Sequence, residues 1–263
     1  MFACADRLRD SSLIKLAHRY ASYLINHQKQ DGSWEVPPGI RGMSGQTLTG
    51  FAHGVSGIVY FLAEYARRTG DMDARKAWQA GADWLVQQAI PTKGGQSLEW
   101  VYSNTESDRW KWWCHGSPGI ALTFLKLHEH TKDPIYADTA TKALTVHPLN
   151  IRYPNLSQCH GLSGLGEIYL EAGRVLGDPR WYDRAEVIAK TLIHLCRRTG
   201  TGSATWLVED PHIATADLMV GSGGVLHFLL RLALEGKQIG FPLLEDPTGA
   251  QGRPYPDASS GGL

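Results

Sequence analysis

Two Cys-His steps, Cys114-His115 and Cys159-His160, each stand directly before a glycine, and they set the chemistry this chain could do. Thiolate and imidazole are ligands that zinc takes readily, and a catalytic zinc site uses three protein ligands and keeps a fourth position open. Cys159 and His160 offer two ligands from one turn, and Cys114 offers a third from the same position of another turn. Two thiolates cancel the charge of Zn2+, and such a centre can still accept one more anionic ligand. For a lone Cys-His pair, a buried thiol beside a capping histidine is the plainer account. Two cysteines in matching positions favour a metal. His53 stands in the same register, with Ala52 where a thiolate would be. Imidazole suits proton exchange near neutral pH, so His53 reads as an acid/base or as a helix-start histidine bonded to a loop carbonyl. His115 is open to three roles: fourth ligand, contact to a ligand or substrate, or proton carrier. We place it beside His53 in the catalytic set. Cys4 and Cys196 lack this context, with Cys196 expected in the core of an outer helix. His227 reads as core, and His128 and His130 as solvated.

The elements that must bring these residues together are written in a repeat. A glycine, two residues, a second glycine and an aliphatic run recur four times, beginning at Gly54, Gly116, Gly161 and Gly221. The steps between them are 62, 45 and 60 residues. Histidine precedes three of the four copies, so packing alone does not explain the phrase. Each copy opens a segment that is apolar over most of a helical circumference, as in Ile58, Tyr60, Phe61, Leu62 and Tyr65, which predicts a buried inner helix. Between the copies lie amphipathic stretches with one apolar stripe: Ser12–Gln28, Asp73–Gln88, Pro134–Val146 and Pro179–Arg197. Asp133-Pro134 and Asp178-Pro179 are helix starts. The chain is therefore expected to be all-α, with four inner and outer helix pairs forming an α/α toroid or a section of one. The long loops Ile90–Trp112 and Leu149–Gln158 lead into glycine turns, so they should gather at one end, where a site would be built. Trp34–Val36 and Leu98–Tyr102 carry weak strand signals, too weak for a sheet.

Composition narrows the function classes. Formal net charge is zero, which gives no sign of a nucleic-acid surface or an anionic membrane partner. No apolar run has the length of a membrane span, and the start of the chain lacks the apolar stretch of a signal peptide. Four cysteines in 263 residues suit reduced thiols and a cytoplasmic setting better than a disulfide framework.

The phrases Gly50-Phe51-Ala52-His53-Gly54, Trp113-Cys114-His115-Gly116-Ser117-Pro118-Gly119-Ile120 and Cys159-His160-Gly161 resemble the lanthionine synthetase C-like family, over roughly residues 10–240. The resemblance implies an α/α toroid of seven inner and seven outer helices. It makes Cys114, Cys159 and His160 the zinc ligands and His53 a catalytic acid/base. It implies a cyclase acting on a dehydrated precursor peptide, in which cysteine thiolates add to dehydroalanine or dehydrobutyrine to form thioether rings. Residues 1–241 would be the cyclase domain and 242–263 a loop-rich tail. With four repeats visible, about three helix pairs and the family's catalytic aspartate have no counterpart here. The expectation is therefore the C-terminal part of a larger synthetase, or a shortened relative, poorly active by itself. Arg109 is the nearest candidate for a family arginine ahead of the first zinc cysteine. Competing readings are a glutathione-adding enzyme of the same family, a non-catalytic zinc-containing peptide-binding module, and an α/α-barrel carbohydrate enzyme. The last typically needs paired carboxylates, which Asp108 and Glu209 do not evidently form.

Overall fold

The structure is a computed structural model that describes residues 4–5, 8–147, 155–198, 200, 202–210, 212–234, 239–242 and 244. The expected tail, 242–263, lies almost wholly outside them. Among the described residues there are eight α-helices in two layers. The outer layer is α1 (Ser12–Asn26), α3 (Met72–Gln87), α5 (Pro134–Thr145) and α7 (Pro179–His194). The inner layer is α2 (Val55–Thr69), α4 (Ser117–Thr131), α6 (Leu162–Leu176) and α8 (Ser222–Ala233). Inner helices pack side by side in chain order, α2 on α4, α4 on α6 and α6 on α8, with α3, α5 and α7 each backing the inner helix before it. This is the inner and outer arrangement of an α/α toroid. Two short antiparallel ladders pair β1 (Ile90–Thr92) with β2 (Ser97–Glu99), and β3 (Arg197–Arg198) with β4 (Ala204–Thr205). Of the two weak strand signals, only the start of Leu98–Tyr102 pairs. Trp34–Val36 does not form a strand, although the Val36 amide bonds the Gln46 carbonyl.

Three of the four outer helices, α3, α5 and α7, start on side chains. Asp71 accepts from the amides of Asp73 and Ala74, Asp133 from Ile135, and Asp178 from Arg180. Each such cap is worth about 1 kcal/mol. Their buried stripes are narrow and rich in alanine, as in Trp181, Ala185, Ile188, Ala189 and Leu192 on α7, which lets the two layers approach closely. Three outer helices also end on a tryptophan from the following loop. The indole N–H groups of Trp34, Trp100 and Trp206 donate to the carbonyls of Leu24, Leu85 and Leu192, each at 2.7 Å. These indoles fasten the loops to the scaffold and satisfy carbonyls that the helix ends leave open.

Inner helices start differently, with no side-chain cap among the four. In α2, α6 and α8 the first amide donates to the carbonyl seven residues back: Val55 to Leu48 (2.9 Å), Leu162 to Asn155 (3.1 Å) and Ser222 to Thr215 (2.8 Å). The glycine phrase is what makes this turn possible. A Cβ at Gly119 would lie 2.8 Å from the Cβ of Phe51, and one at Gly224 would lie 2.8 Å from the Cβ of Gln158. The second glycine therefore lets each inner helix seat against the turn before it. Gly116, at φ 118°, also needs the freedom of glycine for its backbone.

Further along the inner helices, away from these turns, polar and charged side chains join neighbours. His130 on α4 faces Glu64 on α2 at 3.4 Å, and Arg174 on α6 reaches Glu129 on α4 at 2.6 Å. Arg231 on α8 bonds Glu167 at 2.7 Å and also Glu171, all three nearly inaccessible to solvent. His227, expected in the core, is part-buried and contacts Glu167 at 2.7 Å. His130, expected to be solvated, keeps only 13% of its side-chain surface exposed because it faces Glu64. Cys196 lies just past α7 rather than on it, since the helix closes at His194.

Candidate metal centre

The four turns meet edge to edge. The residues two places before the first glycines are Ala52, Cys114, Cys159 and Met219, and their backbones bond in sequence. The Ala52 amide donates to the Cys114 carbonyl at 2.9 Å, Cys114 to Cys159 at 3.1 Å, and Cys159 to Met219 at 2.9 Å. This continuous line puts the thiols of Cys114 and Cys159 side by side. The ligand atoms of Cys114, Cys159 and His160 lie within 4.8 Å of one another.

The donor set fits zinc. Bonds of about 2.3 Å to sulfur and 2.0 Å to nitrogen place tetrahedral ligand atoms roughly 3.5–3.8 Å apart, a small closure from the geometry here. Electrostatics make the two thiols unequal. Shared hydrogen bonding splits the pair: the Cys114 S–H, together with His160, draws the Cys159 thiol down to about 6. Hydrogen bonding to Cys159 and burial push the Cys114 thiol up. Burial alone would hold His160 neutral, but its bonds to Cys159 and Glu209 prevail and raise it.

His53 and His115 sit together beside this cluster. Their rings stack with centroids 5.3 Å apart, and Tyr102 packs on His115 with centroids 4.8 Å apart. His53 is exposed. His115 is half-buried, and burial, then the nearby His53, pull it down to about 4. Its Nδ1 is buried with no hydrogen-bond partner among the described residues. A Cβ at Gly50 would come within 2.8 Å of that nitrogen, so Gly50 makes room for the ring.

All five candidate residues thus reach one end of the inner row. The Arg109 guanidinium pairs with Glu99 at 3.1 Å, where Lys111 also binds. Three residues at the site carry no motif. Tyr102 comes from the loop after β2, and burial, Glu106 and Cys114 raise its hydroxyl. Glu209 lies 2.9 Å from Nε2 of His160, and Asn155 donates to the same carboxylate oxygen at 3.0 Å. The signal for Glu209 was its place in the loop before the last glycine turn, but its partner is a histidine rather than a second carboxylate. Among the described residues no helix is long and apolar enough to cross a membrane.

The chain matches the family described as "Lanthionine synthetase C-like protein" over residues 1–245. It is 24% identical over 205 residues to the Danio rerio protein named Glutathione S-transferase LANCL1, covering 76% of this chain and 46% of that one. It is 24% identical over 164 residues to the Arabidopsis thaliana LanC-like protein GCL1, covering 62% of this chain and 36% of that one. The solved structure of nisin cyclase shares the fold, with a TM-score of 0.62 and 19% identity over 85% of this chain and 58% of that one. The chain therefore spans less than half the length of both curated relatives.

Proposed function

The chain belongs to the lanthionine synthetase C-like family, and on that premise we propose that it is a zinc-dependent cyclase closing thioether rings in a dehydrated peptide. The observation that carries the reading is the convergence of Cys114, Cys159 and His160 beside the stacked rings of His53 and His115. Cys114, Cys159 and His160 would hold the metal. Bound zinc supplies a Lewis acid that lowers the pKa of a substrate thiol, so the thiolate persists near neutral pH.

The remaining work falls to side chains of the protein. When the substrate sulfur adds to the β-carbon of a dehydroamino acid, a C–S bond forms and the alkene π pair moves toward the carbonyl as an enolate. The α-carbon then needs a proton. His53 is exposed at the rim, so it can deliver that proton and be reloaded from solvent. The thiol loses one proton and the α-carbon gains one, so the reaction is proton-neutral. His115, kept neutral by burial, lines the floor and holds the His53 ring. In this reading residues 1–241 act as one domain and the reduced thiols suit the cytoplasm.

The name of the zebrafish relative favours a second reading, in which glutathione supplies the thiol at the same centre. A dehydrated peptide offered with and without glutathione separates the two. Ring closure leaves the mass unchanged and removes alkylatable thiols, whereas glutathione addition increases the mass. The assay should also be run on any longer parent chain, since the relatives carry more residues than this one. The metal assignment has its own test. Purified protein should hold near-equimolar zinc, Cys159→Ala should lose it and Cys196→Ala should keep it. Stoichiometric zinc in a Cys114→Ala/Cys159→Ala double variant would sink the assignment.

A further inference from the structure

We infer that Glu209 is a positioning residue of the metal centre, holding His160 by Nε2 so that Nδ1 is the nitrogen presented to the metal. The inference rests on the zinc reading above. An imidazole that binds a metal through one nitrogen donates its other N–H, and a carboxylate there fixes both the tautomer and the ring direction. Glu209 Oε1 stands 2.9 Å from Nε2 of His160. That leaves Nδ1 as the ring nitrogen free to face the two sulfurs.

The carboxylate is itself held. Asn155 donates to Glu209 Oε1 at 3.0 Å and accepts the Ser157 amide on its own side-chain oxygen at 2.8 Å. Ser157 in turn accepts the His160 amide at 3.1 Å. Backbone and ring of His160 are thus fixed by one small network whose charged member comes from another repeat, in the loop between β4 and α8. The contact between Glu209 and His160 has little to do with folding. The side chains of His160 and Glu209 are 36% and 40% exposed, and ion pairs so exposed stabilise a fold only slightly. A substitution at Glu209 should therefore leave a folded protein with a less well-aimed ligand.

The test uses the full chain stripped of metal and titrated with Zn2+ against a chromophoric chelator. Visible absorption of the Co2+-loaded protein provides a second readout, and thermal unfolding checks that each variant is folded. Glu209→Ala should bind zinc about 10–100-fold more weakly than wild type, with altered Co2+ bands. Glu209→Gln, which keeps an acceptor for Nε2–H but loses the charge, should recover part of the affinity and remain measurably weaker. Asn155→Ala, which removes the tether on Glu209 and the acceptor of the Ser157 amide but leaves the carboxylate on Nε2, should lose less affinity than Glu209→Ala. Wild-type affinity and Co2+ bands in Glu209→Ala would overturn the inference, as would equal losses in Glu209→Ala and Asn155→Ala. Should Glu209→Ala not fold, Glu209→Gln decides alone, and an unchanged affinity and spectrum there overturns it. A wild-type protein that binds no zinc would remove the zinc reading and this inference together, whereas the preceding outcomes remove this inference alone.

Discussion

The row of inner helices is held in opposite ways at its two ends. At the glycine turns, neighbours are joined by backbone, through the amide-to-carbonyl line Ala52–Cys114–Cys159–Met219. Toward the other end they are joined by side chains, through Glu64 with His130, Glu129 with Arg174, and Glu167 and Glu171 with Arg231. The difference shows how a repeat scaffold makes room for chemistry. Where main-chain groups do the cohesive work, cysteine and histidine side chains at the same positions are left for a ligand. Where side chains do it, their charges are neutralised by one another, and buried charges tolerate the interior only when paired.

That contrast can be broken from either end. The largest effect should come from Arg231→Met, which removes the buried cation that Glu167 and Glu171 share and leaves them only the less buried His227 and Arg174 as partners. Breaking a buried pair in this way costs about 3–5 kcal/mol, read as a lower urea midpoint, with zinc stoichiometry of the folded protein unchanged. A loss below about 1 kcal/mol would mean that this end is no more dependent on its ion pairs than an exposed surface. Next in size is His53→Asn at the turn end. It should slow cyclisation about a hundredfold, near 2.7 kcal/mol of transition-state stabilisation, with zinc content and unfolding midpoint unchanged. Metal loss in this variant would instead make His53 a ligand. The smallest effect should come from Asp178→Ala at the start of α7. Losing the bond from the Arg180 amide should cost about 1 kcal/mol of stability and leave zinc affinity unmoved. A shift in zinc affinity would show that outer-helix capping is coupled to the site.

Much of this architecture can be read from residue patterns because it is locally encoded. Asp133-Pro134 and Asp178-Pro179 mark helix starts through bonds that span two residues. The glycine pair marks each inner helix because only glycine fits against the preceding turn. Cys114, Cys159 and His160 can be paired in advance since equivalent positions of neighbouring repeats must lie near one another. Other features are silent in sequence. Trp34, Trp100 and Trp206 follow the carbonyls they cap by 10, 15 and 14 residues, a spacing too irregular to read as a motif. Arg109 stands near the right place in the chain, but Glu99, ten residues earlier, takes its guanidinium.

What the sequence determines by itself, then, is the set of candidate ligands and the scaffold that repeats them, since both follow from short-range spacing and one recurring turn. What only the tertiary structure decides is which groups from other loops complete the site. Glu209 lies 54 residues from Asn155 and reaches His160 across a repeat boundary. Tyr102 packs on His115 from a loop that a β-ladder turns back, and His53 and His115, a whole repeat apart, come within 5.3 Å of each other. Contacts of that range depend on how closely whole helices pack and where loops are pinned, and no local spacing records either.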